Sequence, residues 1–490
     1  MLPVPPLFVQ RSRPQSSMMP TTSENPSSEP QLVKKPTKAA SPRVHWSPSD
    51  LRSNVLSVLR KLGPGLVTGA SDDDPSGIAT YSQVGAQFGY GMLWTMVVSY
   101  PLMTAIQEIS ARVGRVTGCG ISANLRKYYP TWLLYSVVGL MLAANIFNLG
   151  ADIGAMGAAA ELLVHGPLWF YVLLFGTASL LLQLFIPYST YVKYLKWLTL
   201  SLFAYVATAF FVRLSWSQIL RASVFPRLTW SKEYLTGLTA VLGTTISPYL
   251  FFWQASQEVE EVKNNRGEKA LKRAPQQAAA QLGRIRLDTY LGMAFSNIVA
   301  FFIILTTAAT LHVHGDSRIS SSAQAAQALA PLAGHWASWL FACGIIGTGL
   351  LAIPVLAGSA AYALGEACNW RASLENTPEK APRFYLAIVV ATAIGILFNF
   401  FHVDPLRALF WAAVLNGVIA APLMAVIVTM AASRKVMGKF VIPPYLRVAG
   451  WIATLVMFGV CAGVFATWKW APDALVLTDP AFLRTQSQPY

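Results

Sequence analysis

Three consecutive carboxylates, Asp72, Asp73 and Asp74, lie inside an apolar stretch of membrane length and are followed at once by Pro75, Ser76 and Gly77. Ionisable side chains at bilayer depth are costly and mark routes for ions or protons. Pro75 removes a backbone donor, and Gly77 lowers the cost of non-helical backbone, so a helix is expected to break here. Unwound backbone persists in a bilayer only inside protein or beside water. The Ser71 carbonyl and the Asp74 carboxylate can then face a cation, helped by the negative end of the half-helix that stops at the break. A plainer reading makes the three acids a capping or loop cluster ahead of a span that begins later. The apolar run 66–70 before them and 78–88 after them weighs against it.

A second interruption, Thr244-Thr245-Ile246-Ser247-Pro248-Tyr249, falls in the sixth apolar stretch. It offers the hydroxyls of Thr244, Thr245 and Ser247, and the Thr244 carbonyl lies one turn before Ser247. Ser-Pro in a membrane helix is by itself usually a kink. Paired breaks at corresponding places in two halves, however, point to the central site of a transporter. Both motifs present oxygen donors without thiol, thioether or imidazole, which suits hard ions such as Mg²⁺, Mn²⁺ or Ca²⁺. On this reading the ligands are Asp74, Ser71, Thr244 and Ser247, with water at the Gly77 position and Tyr249 as a further candidate. Asp72 and Asp73 add field strength or hold water around the ion.

Other polar groups are sparse. Asp152, mid-way along the third stretch, is a proton-relay candidate or the partner of a nearby hydroxyl. Arg383, at the start of the ninth, is the candidate proton-exit partner. Asn416, in the tenth, supplies an amide oxygen to the site or a helix–helix hydrogen bond, the commoner use. Glu108, near the end of the second, is expected to pair with a basic neighbour. No nucleophile–base pair or cofactor motif emerges, so neither an enzyme nor a cofactor is expected, beyond a divalent cation as substrate and a proton as co-substrate.

The elements that position these residues are membrane helices. The chain has 490 residues, 54% hydrophobic and 12% charged, with mean hydropathy +0.46, whereas soluble domains carry about 25% charged residues. Apolar stretches of about 20 residues, the length a spanning helix needs, recur about eleven times. They lie near 63–88, 91–112, 132–160, 167–187, 194–213, 234–258, 287–311, 336–365, 383–401, 405–431 and 446–468. The fold class is therefore an all-α polytopic membrane protein, with helices 1 and 6 discontinuous. It divides into one half at about 60–213, a second at about 234–431 and an extra helix at about 446–468, within a membrane domain at 56–470.

The net charge of +15 does not imply nucleic acid. Basic residues gather in alternate loops, at Arg112, Arg115, Arg126, Lys263, Lys272, Arg284, Arg371 and Lys435, while the other side has mainly Arg213, Arg221, Arg227, Lys232, Arg318 and Arg407. The positive-inside rule then sets the N-terminus in the cytoplasm of an inner or plasma membrane, with an external tail at 471–490. The Pro/Ser-rich residues 1–55 read as a disordered tail. The segment from Glu258 to Arg286 reads as a surface helix on the cytoplasmic face. Four scattered cysteines, Cys119, Cys343, Cys368 and Cys461, carry no disulfide or zinc signal and read as buried apolar side chains. Expected partners are the lipid bilayer and a divalent metal ion, for a monomer or weak homo-oligomer.

From the first break onward the chain resembles the Nramp family of proton-coupled divalent metal transporters, whose first helix reads G-P-G-…-D-P-G-N-x-A-T-…-Q-F-G-Y. Here Gly63-Pro64-Gly65, Asp74-Pro75-Ser76-Gly77-Ile78-Ala79-Thr80 and Gln87-Phe88-Gly89-Tyr90 follow in that order. Gln107-Glu108-Ile109-Ser110-Ala111-Arg112-Val113-Gly114-Arg115-Val116-Thr117-Gly118 is similar to the family's Q-S-L-A-A-R-L-G-x-V-T-G, and Ala151-Asp152-Ile153 to its T-D-L. The resemblance covers about residues 60 to 430, most specifically the first three helices. It implies a LeuT-like fold of five-plus-five inverted repeats and import of a metal of the Mn²⁺/Mg²⁺/Fe²⁺ class by alternating access.

The resemblance also implies that Asp74 is the metal-binding carboxylate. The family's Asn ligand becomes Gly77, its Met-Pro-His becomes Ser247-Pro248-Tyr249, and its third-helix Glu becomes Ala155. Loss of the thioether shifts the balance toward hard ions, as in the Nramp-related magnesium transporters. Loss of the His and Glu leaves Asp152 as the remaining acid for coupling. Two other readings stand beside this one: a transporter of the same fold for a small organic substrate such as an amino acid, and a membrane metal sensor that moves nothing.

Overall fold

The computed structural model describes residues 68–469, apart from 70, 187–189, 191–200, 213, 266, 316–318, 320 and 402. The 1–55 and 471–490 tails and Gly63-Pro64-Gly65 lie outside the described residues. The helices that carry the argument are α1 (Pro75–Phe88), α2 (Trp94–Thr117), α3 (Thr131–Leu163), α4 (Leu168–Phe185), α5 (Phe203–Phe211) and α6 (Lys232–Thr245). They continue with α7 (Pro248–Asn264), α8 (Ala278–Thr310), α9 (Ala337–Ala367), α10 (Pro382–Phe398), α11 (Pro405–Ala432) and α12 (Pro444–Lys469).

Local chemistry explains the ends. Asp74 caps α1 and Asp404 caps α11, each ahead of a proline at the first helical position, where a missing N–H costs nothing. Ser231 caps α6, and Gly118 ends α2 in the left-handed region at φ 68°.

Among the described residues, 8 helical stretches are long and apolar enough to cross a membrane, with α6 and α7 counted together. The expected spans beyond these are α1, α2 and α5. The first is cut short by the acids, and the second carries Gln107, Glu108, Arg112 and Arg115. The third is preceded by residues outside the description. The protein is a multi-pass membrane protein. Val97, Leu174, Phe210, Leu386 and Leu455 are exposed on its perimeter, as lipid-facing side chains must be.

The helices sort into two groups. α2 packs on α7 and α8, and α8 on α1, while α3 lies along α9, α10 and α11. α6 joins the groups by crossing α11 at Gly243 and Gly417, where a Cβ on either would strike the other helix's backbone. Small residues permit such close approach where no hydrophobic force drives helices together.

Two sequence expectations need correction. The segment from Glu258 to Arg286 is no separate surface helix: α7 runs to Asn264 and α8 begins at Ala278. Its acids are drawn inward by two arginines. Arg284 Nη2 lies 2.7 Å from Glu258 and 2.7 Å from Glu261, and buried Arg115 of α2 lies 2.5 Å from Glu268 and 3.9 Å from Glu258. Breaking a buried pair of this kind by removing one partner costs about 3–5 kcal/mol. Cys119, Cys343 and Cys368 are exposed, and Cys461 alone is buried; the four are free thiols. Apolar surroundings in a membrane protein include lipid as well as core, which composition does not separate. Glu108, by contrast, pairs as expected, with Arg112 at 2.6 Å.

Glu268 lies in the turn between α7 and α8. Partial burial raises its pKa, but the hydrogen bond and charge of Arg115 outweigh that and hold the carboxyl below its usual range. A depressed carboxyl contributes stability above its unfolded pKa and loses it as pH falls through the folded value. Melting in detergent should therefore lose stability as pH falls below about 4.5, and Glu268→Gln should flatten that acid limb. An unchanged limb in the variant would place the acid sensitivity elsewhere.

Candidate functional site

The two breaks meet at Asp74. Its Oδ1 accepts from the Gly77 N–H at 2.7 Å and from the Ser76 hydroxyl at 2.7 Å, so half of the carboxylate is used to cap α1. The capping reading is right in that respect, but the residue is buried rather than in a loop. Oδ2 faces α7, where the Tyr249 hydroxyl lies 3.2 Å from it and 3.2 Å from the Ser71 carbonyl. One phenol hydrogen thus stands between the two oxygens assigned to a cation from sequence.

Ser247 and Thr244 are brought to the same place with a different division of labour. The Ser247 hydroxyl donates back to the carbonyls of Thr244 at 2.8 Å and Gly243 at 3.0 Å, the last-turn acceptors that α6 leaves open. Its hydrogen serves the helix end, and its oxygen lone pairs are what remain for a ligand. Gly77 lies between the two breaks. A Cβ there would lie 3.2 Å from the Thr244 Oγ1 and 3.3 Å from the Tyr81 ring, so the position exists for close approach of the two breaks.

Asp72 and Asp73 are buried, and both face Ser296 of α8: its Oγ is 2.6 Å from Asp72 Oδ2 and 3.0 Å from Asp73 Oδ1. Asp152 of α3 is buried and within electrostatic reach of Asp74. Asn148, one turn earlier, is buried too, and neither side chain has a partner in hydrogen-bond geometry. Asn416 is buried, and among the described residues its amide makes no helix–helix hydrogen bond. Arg383 is exposed at the start of α10 and forms no ion pair among the described residues, so the structure does not bring it to Asp152.

Sequence reasoning missed Ser296, Tyr81 and Asn148. Asn148 carries a signal in its four-residue spacing from Asp152, and Tyr81 lies two turns after Asp74. Ser296 has none, because its meaning comes wholly from how α8 packs.

The Nramp profile, described as natural resistance-associated macrophage protein-like, matches residues 65–467. The chain belongs to the Nramp family. Among curated relatives, the divalent metal cation transporter MntH of Klebsiella pneumoniae is 25% identical over 416 residues, covering 81% of this chain and 92% of that protein. MntH of Yersinia enterocolitica is 25% identical over 418 residues, covering 82% and 94%. The Eremococcus coleocola manganese transporter, solved with an aromatic bis-isothiourea compound, superposes with TM-score 0.67 at 16% identity, over 89% of this chain and 92% of that one. Mhp1, a nucleobase-cation-symport-1 family transporter, gives TM-score 0.50 at 13% identity, over 83% and 93%. These likenesses show the LeuT-like fold that the Nramp resemblance implies.

The Nramp resemblance places an Asn where this chain has Gly77. Restoring it as Gly77→Asn should crowd Thr244 and Tyr81 and cost about 1–3 kcal/mol by overpacking. A detergent melt is expected to show the loss. A variant that melts with the parent and binds metal more tightly would show that this space is open.

Proposed function

We propose that this protein is a secondary transporter that imports a divalent metal cation by alternating access, with Asp74 as the charged ligand. One observation carries the reading: Asp74 Oδ2 and the Ser71 carbonyl converge across the Tyr249 hydroxyl, at the point where two broken helices meet out of contact with solvent. A cation arriving there displaces the phenol hydrogen, or turns it aside and uses the phenol oxygen. The Thr244 carbonyl and Ser247 oxygen lie on the facing helix end. An oxygen-only set of this kind suits Mg²⁺ or Mn²⁺, and the manganese and divalent-metal transport named for the relatives supports the same class.

The surroundings fit an alternating-access cycle. Arg115, Arg284 and the carboxylates of Glu258, Glu261 and Glu268 tie α2, α7 and α8 together on the face with the basic loops, which the positive-inside rule makes cytoplasmic. Opening that face requires these pairs to part. Beside them a cavity of about 530 Å³ is lined by Glu260, Glu366 and Glu375, with Lys263 and Arg371. Arg126 lines it as well, so its acids and bases are equal in number, and it suits a release vestibule by its place on this face rather than by charge. Asp152, next to Asp74 on the scaffold helix, is placed to hold a proton when the metal is absent.

Two measurements test this in proteoliposomes. Asp74→Ala should abolish Mg²⁺ or Mn²⁺ uptake, a loss of at least about a hundredfold for a ligand charge; uptake at the parent rate removes the assignment. Ser247→Met should shift competition toward Mn²⁺ or Cd²⁺ over Mg²⁺, because a thioether favours softer ions. An unaltered selectivity series would mean that residue 247 does not line the site.

A further inference from the structure

We infer that a groove on the lipid-facing side of α2 and α8 is a binding site for an anionic phospholipid, held by Arg286. The groove encloses about 250 Å³ between the two helices. Its α8 wall runs along Gly283, Arg286, Leu287, Tyr290 and Leu291, the three- and four-residue spacing of one helix face. Tyr100 of α2 closes it from the other side, its hydroxyl donating to the Tyr290 carbonyl at 3.2 Å. Leu287 and Leu291 are 49% and 42% exposed, so this wall opens toward the bilayer.

Depth and charge select the occupant. From Leu287 to Thr310 the only acidic or basic side chain is Asp288, which is buried and turned to Arg284 at 4.0 Å. Arg286 therefore stands at the end of the hydrocarbon-length part of α8, at headgroup level on the basic-loop face. It is exposed, and its guanidinium carbon lies 5.6 Å from the centre of the Tyr290 ring. Among the described residues it forms no ion pair. No acid lines the groove, and Glu108 of α2 is taken by Arg112 at 2.6 Å.

The groove's one formal charge is thus a cation, set at the mouth of a largely apolar channel. A lipid phosphate satisfies the guanidinium through charge-assisted hydrogen bonds. An acyl chain below it covers Leu287, Leu291 and Ala294. Basic pockets between membrane helices hold anionic headgroups in this way. A zwitterionic lipid fits less well, because its ammonium finds no carboxylate in the groove. A seated lipid bridges α2 and α8, so its binding reads out as stability.

The test uses the full chain in detergent without divalent ions, titrated at fixed ionic strength with mixed micelles of dioleoyl phosphatidylglycerol or dioleoyl phosphatidylcholine. Phosphatidylglycerol should raise the melting temperature saturably, and phosphatidylcholine should not match it. Arg286→Gln should raise the half-saturating phosphatidylglycerol about fivefold, the effect of one cation near an anionic headgroup, and Arg286→Lys should recover most of it. Gly283→Leu fills the groove, where an added Cβ meets nothing within 4 Å, and leucine favours the helix. That variant should melt no lower than the parent in detergent alone, yet lose the lipid response. Lys127→Gln removes another exposed cation over a tyrosine ring, 5.2 Å from that of Tyr128 and outside the groove, and should leave the response unchanged. Equal stabilisation by the two lipids, or a response that Lys127→Gln weakens as much as Arg286→Gln, overturns the site. A groove covered by protein would give no response to either lipid, which overturns it too. None of these readouts involves metal, so the site stands or falls apart from the transport reading.

Discussion

A hydrocarbon interior tolerates no idle backbone polar group, and the break in each of two helices creates several at once. The first break satisfies its own: Asp74 Oδ1 takes the Gly77 N–H and the Ser76 hydroxyl, and the Asp74 carbonyl accepts from Ile78. The second does likewise, with Ser247 turned back onto Gly243 and Thr244 and the Ile246 N–H reaching Leu242. What this leaves over is small and directional. One carboxylate oxygen and one carbonyl face the same phenol, and their placement follows from the capping that fixes everything around them.

The rest of the molecule holds that arrangement in register. The glycine crossing of α6 and α11 fixes the upstream half of the second break against the scaffold, and the absent side chain at Gly77 lets the first break close on it. α3 carries Asp152 along the scaffold, while α8 carries Ser296 to the neighbouring acids. On the basic-loop face the arginine–carboxylate network adds polar ties between α2, α7 and α8, which also pack closely where Gly114 of α2 meets the Ala255 backbone of α7.

Much of this was legible in the residues. The acids beside Pro75 and the Ser-Pro at 247 are local signals, because proline and a buried charge have the same consequence in any membrane helix. They sufficed to locate both breaks, Asp74, Ser71 and Tyr249. What remained hidden depends on tertiary packing. Glu258 and Glu261 looked solvated because their partners lie on other helices. The room beside Gly77 is a matter of where Thr244 and Tyr81 sit, and motif comparison reports only that an amide is missing. The surroundings of Asn416 and Arg383 were equally illegible: among the described residues the first is buried without a hydrogen-bond partner and the second is exposed without an ion pair.

The Tyr249 hydroxyl has a bearing on the unloaded molecule. A carrier must also travel empty, and a lone anion sealed away from water opposes that return stroke. The Tyr249 phenol, hydrogen-bonded to Asp74, offsets part of that cost without the net charge that an arginine or lysine would bring. Its weak grip yields readily to an incoming ion. On the transport proposed above, reset and capture would draw on the same rotor, so the ease with which that ring turns would set how tightly import is tied to a full load.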